Sequence, residues 1–150
     1  MAMPDIRSLL PQAGPMVLLD RVVSTDAESL CAEVEIRSGR LFCTPEGIGG
    51  WIGIEYMAQA IGAYAGYDAS LRGEAVKIGF LLGARRYECS RPFFALGSVL
   101  KIHVRRLLVS DSGLASFECR IEDGDGEVAT ATLTVFQPAD INEFLAGVSE

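Results

Sequence analysis

The sequence contains very few residues of the kind that bind metals. Among its 150 residues there is one histidine, His103, and there are four cysteines. No two cysteines are close enough to form a CxxC pair, whereas structural zinc sites need clustered cysteine and histidine ligands. The cysteines are Cys31, Cys43, Cys89 and Cys119. We therefore expect no metal site, and nothing in the sequence indicates a bound cofactor.

Long hydrophobic runs are also missing. No apolar stretch reaches the ~20 uncharged residues that a membrane-spanning helix requires. The N-terminus, MAMPDIRSLLPQAG, lacks the apolar segment after a basic start that marks a signal peptide. We therefore expect no membrane span, and we expect a cytoplasmic protein whose thiols stay reduced.

Positive charge is scarce as well, since 13 Lys and Arg residues face 20 Asp and Glu residues and the formal net charge is −7. Nucleic-acid-binding proteins usually have the opposite sign, with clustered basic residues, so we expect no nucleic-acid partner. The densest basic pairs are Arg85–Arg86 and Arg105–Arg106, each inside a strand-like run. A local patch of this kind could contact an acidic partner protein, but solvated strand positions are the simpler interpretation.

Hydrophobic residues, in contrast, make up 49% of the chain, and its mean hydropathy of +0.27 is high for a small protein that works as a monomer. The excess indicates a buried interface between subunits or an apolar ligand tunnel, with an alanine-rich core as the alternative. The length is that of one ordinary domain, and no repeat or linker divides the chain. We therefore expect a single domain over residues 1–150.

Alternating apolar and polar residues predict strands over most of the chain. In SLCAEVEIR (29–37), for example, every second residue is apolar, which indicates a strand with one buried face. The last three strands follow one another across the short turns DSG and GDG, as in an antiparallel meander. A short helix is predicted at 4–10 and an amphipathic tail at 140–147. The predicted strands are 16–24, 29–37, 76–89, 98–110, 113–123 and 127–137.

One long helix interrupts the strands at roughly 51–71, after a glycine-rich loop at 38–50. The helix is hydrophobic nearly all round, which predicts that it is buried. It contains Gly53, Gly62 and Gly66, and each glycine costs ~1 kcal/mol relative to alanine, so something must pack very closely on the helix. One antiparallel sheet of about five to six strands wrapped around this helix satisfies the pattern. That architecture is the α+β hotdog fold.

Two polar side chains, Glu55 and Gln59, stand out in this apolar helix. A carboxylate in apolar surroundings needs a partner or a chemical role, because burying an unpaired charge is costly. Gln59 follows one turn after Glu55 on the same face of the helix, and it can therefore orient Glu55 or contact it.

Three sequence blocks resemble the hotdog hydroxyacyl-ACP dehydratases. LLPQAGPMVLLDRV (9–22) is similar to their N-terminal signature, and GIEYMAQAIGAYAG (53–66) is similar to their central-helix signature. GFLLGARRYECSRPFFALGSVLKIHV (79–104) is similar to the segment that follows the helix. The blocks come in the family's order and cover most of the chain. The residues of these three blocks are most similar to those of a dehydratase-like subgroup associated with aryl polyene-type pigment clusters.

The resemblance implies loss of water from a 3-hydroxyacyl thioester carried by an acyl carrier protein or by coenzyme A. Glu55 matches the acidic helix residue that serves the leaving hydroxyl across a subunit interface, so a homodimer or a dimer-based oligomer is implied. The amides of Gly49 and Gly50 lie where the family polarises the thioester carbonyl. Gln59 would position Glu55 or the substrate, and Phe80 would line an acyl tunnel unless it belongs to the core.

The catalytic histidine of the family is missing from its expected place. Counting back from Glu55 leads to Leu41, which is followed by Phe42, a match to the family's phenylalanine. Gln12 replaces the N-terminal histidine of the family, and a glutamine can hydrogen-bond a substrate but cannot abstract a proton. His103 lies in the middle of a predicted strand, and we expect it to be structural.

Three functions remain open. The first is a dehydratase of altered design in which Glu55 is the sole acid–base group. The second is an acyl thioesterase that uses Glu55, as nucleophile or as base for water, together with backbone amides at the helix start. The third is a catalytically silent hotdog subunit or acyl-binding module. A catalytic role of Cys43 is disfavoured, because a nucleophilic cysteine needs a nearby base and no histidine partner is apparent.

Overall fold

A six-stranded antiparallel sheet wraps around one long helix in the computed structural model of the chain, which confirms the predicted hotdog fold. The predictions for Gln12, for the start of the 76–89 strand and for the 140–147 tail lie outside the part of the chain that is described. The structure describes residues 3, 5–10, 14–74 and 79–137.

The helix and the strands follow the chain in nearly the predicted order. They are β1 (Arg21–Thr25), β2 (Ser29–Glu35), β3 (Cys43–Thr44), β4 (Gly47–Gly49), α1 (Gly53–Leu71), β5 (Phe80–Cys89), β6 (Phe93–Phe94), β7 (Val99–Val109), β8 (Leu114–Asp123) and β9 (Gly126–Phe136). The large sheet has the order β1-β2-β7-β8-β9-β5, and all of its neighbouring strands are antiparallel. A small sheet has the order β3-β4-β6.

The core of the protein lies between α1 and the inner face of the large sheet. Leu30 and Ala32 of β2 lie opposite Val104 and Ile102 of β7, and all four residues are buried. The residues between them belong to the outer face, because successive side chains of a strand point to opposite sides. Every second strand residue therefore covers the helix, as the alternating sequence pattern predicted.

Helix α1 is enclosed by the sheet except along one stripe of small residues. The stripe consists of Ala58, Gly62 and Ala65, which are only partly buried. These residues line an open cleft between the helix and strands of the large sheet. The small side chains thus leave room beside the helix.

Two segments differ from the predicted pattern. The first strand starts only at Arg21, because the backbone amide of Leu18 is bonded to the side chain of Gln59 rather than to a neighbouring strand. The predicted loop at 38–50 contains β3 and β4, which pair with each other, and β4 also pairs with β6. This small sheet fixes the segment that leads into α1.

Gly66 of α1 packs directly against the backbone of the N-terminal segment. A Cβ atom at this position would lie 2.9 Å from the carbonyl carbon of Leu9 and closer still to its oxygen. At Gly62 the nearest atom is Leu10 Cδ2 at 3.1 Å, the end of a side chain that can move. The close packing expected from the helix glycines is therefore made, at Gly66, by the N-terminal segment rather than by the sheet.

We expect Gly66→Ala to lower the free energy of unfolding by about 1–3 kcal/mol, because overpacking against a fixed backbone outweighs the gain in helix propensity. Gly62→Ala is the matched control and should be neutral or slightly stabilising, since only a side chain has to move. Urea unfolding followed by circular dichroism measures both variants. Equal stability of the two variants would contradict the tight contact with Leu9.

Candidate active site

Glu55 lies half-buried in the first turn of α1 and lines a cleft of about 490 Å³. The positive end of the helix dipole favours a carboxylate at this position. The cleft runs along the small-residue stripe of α1, and strands of the large sheet form its other wall. That wall is mainly apolar, with Leu81, Phe117 and Val135 among its residues. The site therefore combines the Glu55 carboxylate with an apolar wall, and Asp68, Arg72 and Arg106 also line the cleft.

Gln59 is the only buried polar side chain among the described residues, with 1% of its surface exposed. Its Oε1 accepts a hydrogen bond from the Leu18 amide at 2.9 Å. Its Nε2 donates to the Met16 carbonyl at 2.7 Å and to Glu55 Oε1 at 3.1 Å. Gln59 therefore fixes the Glu55 carboxylate and the 16–18 segment to the helix, while it does not line the cleft itself.

A second polar network holds the same segment from the loop after β2. Arg40 donates to Asp20 Oδ1 at 2.7 Å and to the Leu18 carbonyl at 2.8 Å. Asp20 Oδ2 accepts a hydrogen bond from the Glu35 amide at 2.7 Å. Burial alone would raise the pKa of Asp20, but the Glu35 amide and the guanidinium groups of Arg40 and Arg37 together hold that pKa below its usual value. The 16–18 segment is therefore held by Gln59 of the helix on one side and by Arg40 of the loop after β2 on the other.

We expect Asp20→Asn to lower the free energy of unfolding at neutral pH by about 1–3 kcal/mol, because a charged acceptor of several hydrogen bonds is lost. The folded-state pKa of Asp20 lies below the unfolded value of about 3.9. Its stabilisation is therefore complete above the unfolded pKa and is lost as the pH falls through the folded-state pKa. Urea unfolding at several pH values should show the gap between wild type and variant shrinking in acid, and a gap that stays constant would contradict this assignment.

The backbone amides at the start of α1 differ in their availability. The Gly50 amide is already engaged, because it donates to the Pro92 carbonyl at 2.9 Å. Gly49 ends β4 beneath the indole of Trp51, and a Cβ at position 49 would lie 2.7 Å from Trp51 Cδ1. The Ile52 amide belongs to the 3-10 turn Gly50–Ile52, in which it donates to the Gly49 carbonyl. The Trp51 amide has no hydrogen-bond acceptor within the described residues, so this amide, rather than that of Gly50, is the one available to polarise a carbonyl.

His103 belongs to the outer face of the large sheet. Its Nε2 is hydrogen-bonded to Glu122 Oε1 of β8, and Cys31 Sγ of β2 lies 4.0 Å from the same nitrogen. Because its neighbour Ile102 faces the core, the backbone of the sheet lies between the imidazole and α1. The only histidine of the sequence therefore cannot reach the Glu55 carboxylate of its own chain.

The segment that matches the place of the missing histidine lies next to the start of α1. Leu41 and Phe42 are both exposed, and Phe42 has a φ of 69° in the left-handed region. The Phe42 ring meets the Trp51 ring edge-on, with 6.0 Å between the centroids. An exposed aromatic pair thus borders the helix start on the side where the family resemblance expects a histidine.

The remaining candidate residues lie in strands. Cys43 is partly buried in β3, and its Sγ lies 3.6 Å from the Thr44 carbonyl oxygen. Phe80 begins β5, where its backbone pairs with that of Phe136 in β9. Cys43 is not among the residues that line the cleft beside Glu55. The predicted role of the Phe80 side chain in an acyl tunnel lies outside what the structure describes.

Sequence reasoning missed Arg106, which borders the cleft. The sequence shows Arg105 and Arg106 as one basic pair, but adjacent residues of a strand face opposite sides of the sheet. Arg105 belongs to the outer face with His103, whereas the Arg106 guanidinium lies over the ring of Tyr64. The alternation of apolar residues along β7 is the signal that separates the two arginines.

The part of the chain covered by the structure offers no cluster of three or more His, Cys, Asp and Glu side chains that could hold a metal ion. All four cysteines are free thiols. No helix among the described residues is long and apolar enough to cross a membrane.

Comparison with known proteins shows a match over nearly the whole chain. Residues 4–146 match the family described as ApeP-like, ApeP dehydratase. The structure is similar to the dehydratase heterocomplex ApeI:P from Xenorhabdus doucetiae, with a TM-score of 0.90 and 31% sequence identity over 99% of this chain and 100% of that chain. A comparison with curated proteins gave no match.

Two further structures share the fold at lower sequence identity. One is a hypothetical thioesterase protein with coenzyme A from Streptococcus pneumoniae TIGR4, with a TM-score of 0.59 and 15% identity over 78% of this chain and 84% of that chain. The other is smu.793 from Streptococcus mutans UA159 bound to acetyl CoA, with a TM-score of 0.58 and 19% identity over 77% of this chain and 86% of that chain. At these identities the similarity supports the fold alone.

Proposed function

The chain belongs to the ApeP-like dehydratase family, the dehydratase-like hotdog proteins of aryl polyene biosynthesis, and we propose that it supplies the glutamate of a two-chain dehydration site. The substrate is a 3-hydroxyacyl thioester of an acyl carrier protein or of coenzyme A. One observation carries the proposal: Glu55 lines an apolar cleft and is hydrogen-bonded to Gln59, while the only histidine of the chain belongs to the other side of the sheet.

In the proposed reaction a proton leaves the carbon next to the thioester carbonyl, and the hydroxyl group leaves the following carbon as water. A carbon–carbon double bond forms between the two atoms. Glu55 delivers a proton to the leaving hydroxyl, and a base on the partner chain takes the proton from carbon. The family resemblance identifies this base as a histidine. The amide of Trp51 stabilises negative charge on the thioester oxygen, and proton exchange with solvent restores Glu55 and the base.

The partner in this proposal is a second, different hotdog chain. A homodimer would bring only a second copy of His103, which lies on the outer face of the sheet and is bonded to Glu122. The matching ApeI:P structure is a heterocomplex, and this supports a heteromeric pair over the homodimer predicted from the sequence. An exposed aromatic cluster of Phe42, Trp51 and Phe93 offers an apolar contact surface at the start of α1.

The proposal can be tested by offering the purified chain a 3-hydroxyacyl carrier thioester, alone and with a histidine-bearing hotdog partner, and by following the products by mass spectrometry. We expect loss of water only when both chains are present. Equal dehydration by the chain alone would show that Glu55 needs no partner base. A bound but unchanged thioester in both mixtures would support the silent acyl-binding module instead.

An acyl thioesterase is the second candidate, and one observation favours it. A single carboxylate lies in the first helical turn, close in sequence to the Trp51 amide, which has no acceptor among the described residues. A carboxylate and a free amide are the groups needed to activate water and to stabilise an oxyanion. In the same mass-spectrometric assay, release of free acid by the chain alone would identify this activity and contradict dehydration.

We further propose that the protein works in the cytoplasm. Its four free thiols support this location, because free thiols persist in a reducing compartment. Fractionation of cells that express the full chain tests the location, and recovery from an oxidising compartment would contradict it.

A further inference from the structure

Arg106 borders the same cleft as Glu55, and no residue in the described part of the chain forms an ion pair with it. Its guanidinium lies over the ring of Tyr64, with Cζ 6.0 Å from the ring centroid. Its side chain forms no hydrogen bond and no ion pair with any residue in the described ranges. A partly buried guanidinium presents five N–H donors, and leaving them without acceptors is costly. The cleft therefore contains a cation that is available to a ligand.

The surroundings of Arg106 are rigid. The Tyr64 hydroxyl donates to the Ala27 carbonyl at 2.7 Å, and the Tyr64 ring meets Phe117 edge-on with 5.6 Å between centroids. The backbone amide of Arg106 donates to the Glu28 carbonyl at 2.8 Å, which anchors β7 at the same place. The ring beneath the guanidinium is therefore fixed, and the cation–π contact holds the guanidinium beside the cleft.

The spacing of the two charges along the cleft sets the length of the ligand. Glu55 and Tyr64 are nine positions apart on α1, which corresponds to ~14 Å along the helix axis. The residues that line the cleft between them include Ala58, Ile61 and Gly62, none of which is charged. A ligand in this channel therefore meets the Glu55 carboxylate at one end, an apolar wall in the middle and the Arg106 guanidinium at the other end. Asp68 and Arg72, which form an ion pair with each other, also line that far end.

We propose that Arg106 selects thioesters whose acyl chain carries a hydrogen-bond-accepting oxygen about 14 Å from the reacting carbons. This inference rests on the proposed dehydration site at Glu55. The acceptor is a hydroxyl, carbonyl or carboxylate oxygen, which the guanidinium fork binds by charge-assisted hydrogen bonds. A plain alkyl end would leave the guanidinium unpaired and would cover it with apolar atoms. Arg106 is therefore a specificity-determining residue, and it takes no part in the bond-breaking step.

The test uses three coenzyme A thioesters of equal chain length, each with a 3-hydroxyl group and ending in a methyl, a hydroxyl or a carboxylate group. The chain is studied together with its histidine-bearing partner. Dehydration is measured as kcat/KM, and binding is measured separately by titration calorimetry. We expect the wild type to prefer the oxygen-ended thioesters by about tenfold or more. Arg106→Met should abolish that preference, and Arg106→Lys should keep it for the carboxylate better than for the hydroxyl.

Arg105→Met is the matched control, because it removes an arginine from the adjacent, outward-facing position and should retain the preference. Thermal unfolding of each variant shows whether it is folded. A wild type without preference, or a preference that survives in Arg106→Met, overturns the inference. If no thioester is dehydrated but the oxygen-ended ones still bind more tightly through Arg106, the proposed dehydration fails and the selection by Arg106 stands. If no thioester is dehydrated and binding also shows no preference, both the proposed dehydration and the selection by Arg106 are wrong.

Discussion

Glu55→Gln is expected to lower the rate of dehydration by about 10²–10⁴-fold, because the variant retains the shape of the side chain but cannot donate a proton to the leaving hydroxyl. The change is conservative for the fold. The amide oxygen of a glutamine at position 55 can still accept the hydrogen bond from Gln59 Nε2 that the carboxylate accepts at 3.1 Å. The loss should therefore appear in kcat, with little change in the midpoint of urea unfolding.

Glu118→Gln provides the matched control for this experiment. Glu118 is an exposed glutamate of β8 on the outer face of the sheet, away from the cleft beside α1. Its replacement removes the same charge and should leave the rate at the wild-type value. Mass spectrometry of the thioester after a single turnover measures the rate for each variant. Dehydration at the wild-type rate by Glu55→Gln would remove Glu55 from the chemistry.

Gln59→Glu is expected to lower the free energy of unfolding at pH 8 by about 3–5 kcal/mol, because it leaves an uncompensated charge in the core. A carboxylate at position 59 can still accept from the Leu18 amide. Its second oxygen would face the Met16 carbonyl and the Glu55 carboxylate, both of which accept hydrogen bonds from Nε2 in the wild type. The variant can form those contacts only when the new carboxyl group is protonated.

The pH dependence of the stability of Gln59→Glu shows whether a buried charge causes its destabilisation. Burial and the neighbouring carboxylate would raise the folded-state pKa of the new glutamate above its unfolded value of about 4.3. The variant therefore pays no ionisation penalty below the unfolded pKa, and the penalty grows as the pH rises from there to the folded-state pKa. Urea unfolding should give a small gap to wild type near pH 4 and a large gap at pH 8.

Gln59→Leu is the control, because it removes the hydrogen bonds without adding an ionisable group. Its loss of stability should be about 2–3 kcal/mol, from a buried amide and a buried carbonyl left without partners. That loss should change far less with pH than the loss in Gln59→Glu. If the two variants show the same pH dependence, the contact of Gln59 with Glu55 and Met16 does not control stability.

The fold was largely predictable because its information is local and repetitive. The period of two in the strands and the long apolar helix both follow from the need to bury one face of each element, and the structure has β2 and α1 close to the predicted bounds. The small sheet of β3, β4 and β6 was not predictable, since two-residue strands carry no period. The late start of β1 was not predictable either, because a side chain distant in sequence, Gln59, takes the hydrogen bond of Leu18.

The candidate site was predictable only in part. Glu55 stands out from the sequence because a carboxylate conflicts with its apolar helix, and Gln59 follows at the helical spacing that the hydrogen bond between them requires. The Gly50 amide was expected to face the substrate, yet a non-local contact with Pro92 occupies it. A motif can place an amide at a helix start, but it cannot show which carbonyl from a distant part of the chain binds that amide.

The sequence by itself determined the hotdog class, the presence of a glutamate in the apolar helix and the absence of the family's histidine, since composition, period and motif are properties of the chain. Only the tertiary structure decided that His103 lies across the sheet from Glu55. It also decided that Arg106 and Glu55 line the same cleft. The register of β7 against β2 and the wrapping of the sheet around α1 bring together residues that are distant in the chain. Those contacts depend on how the whole chain packs, and no short segment encodes them.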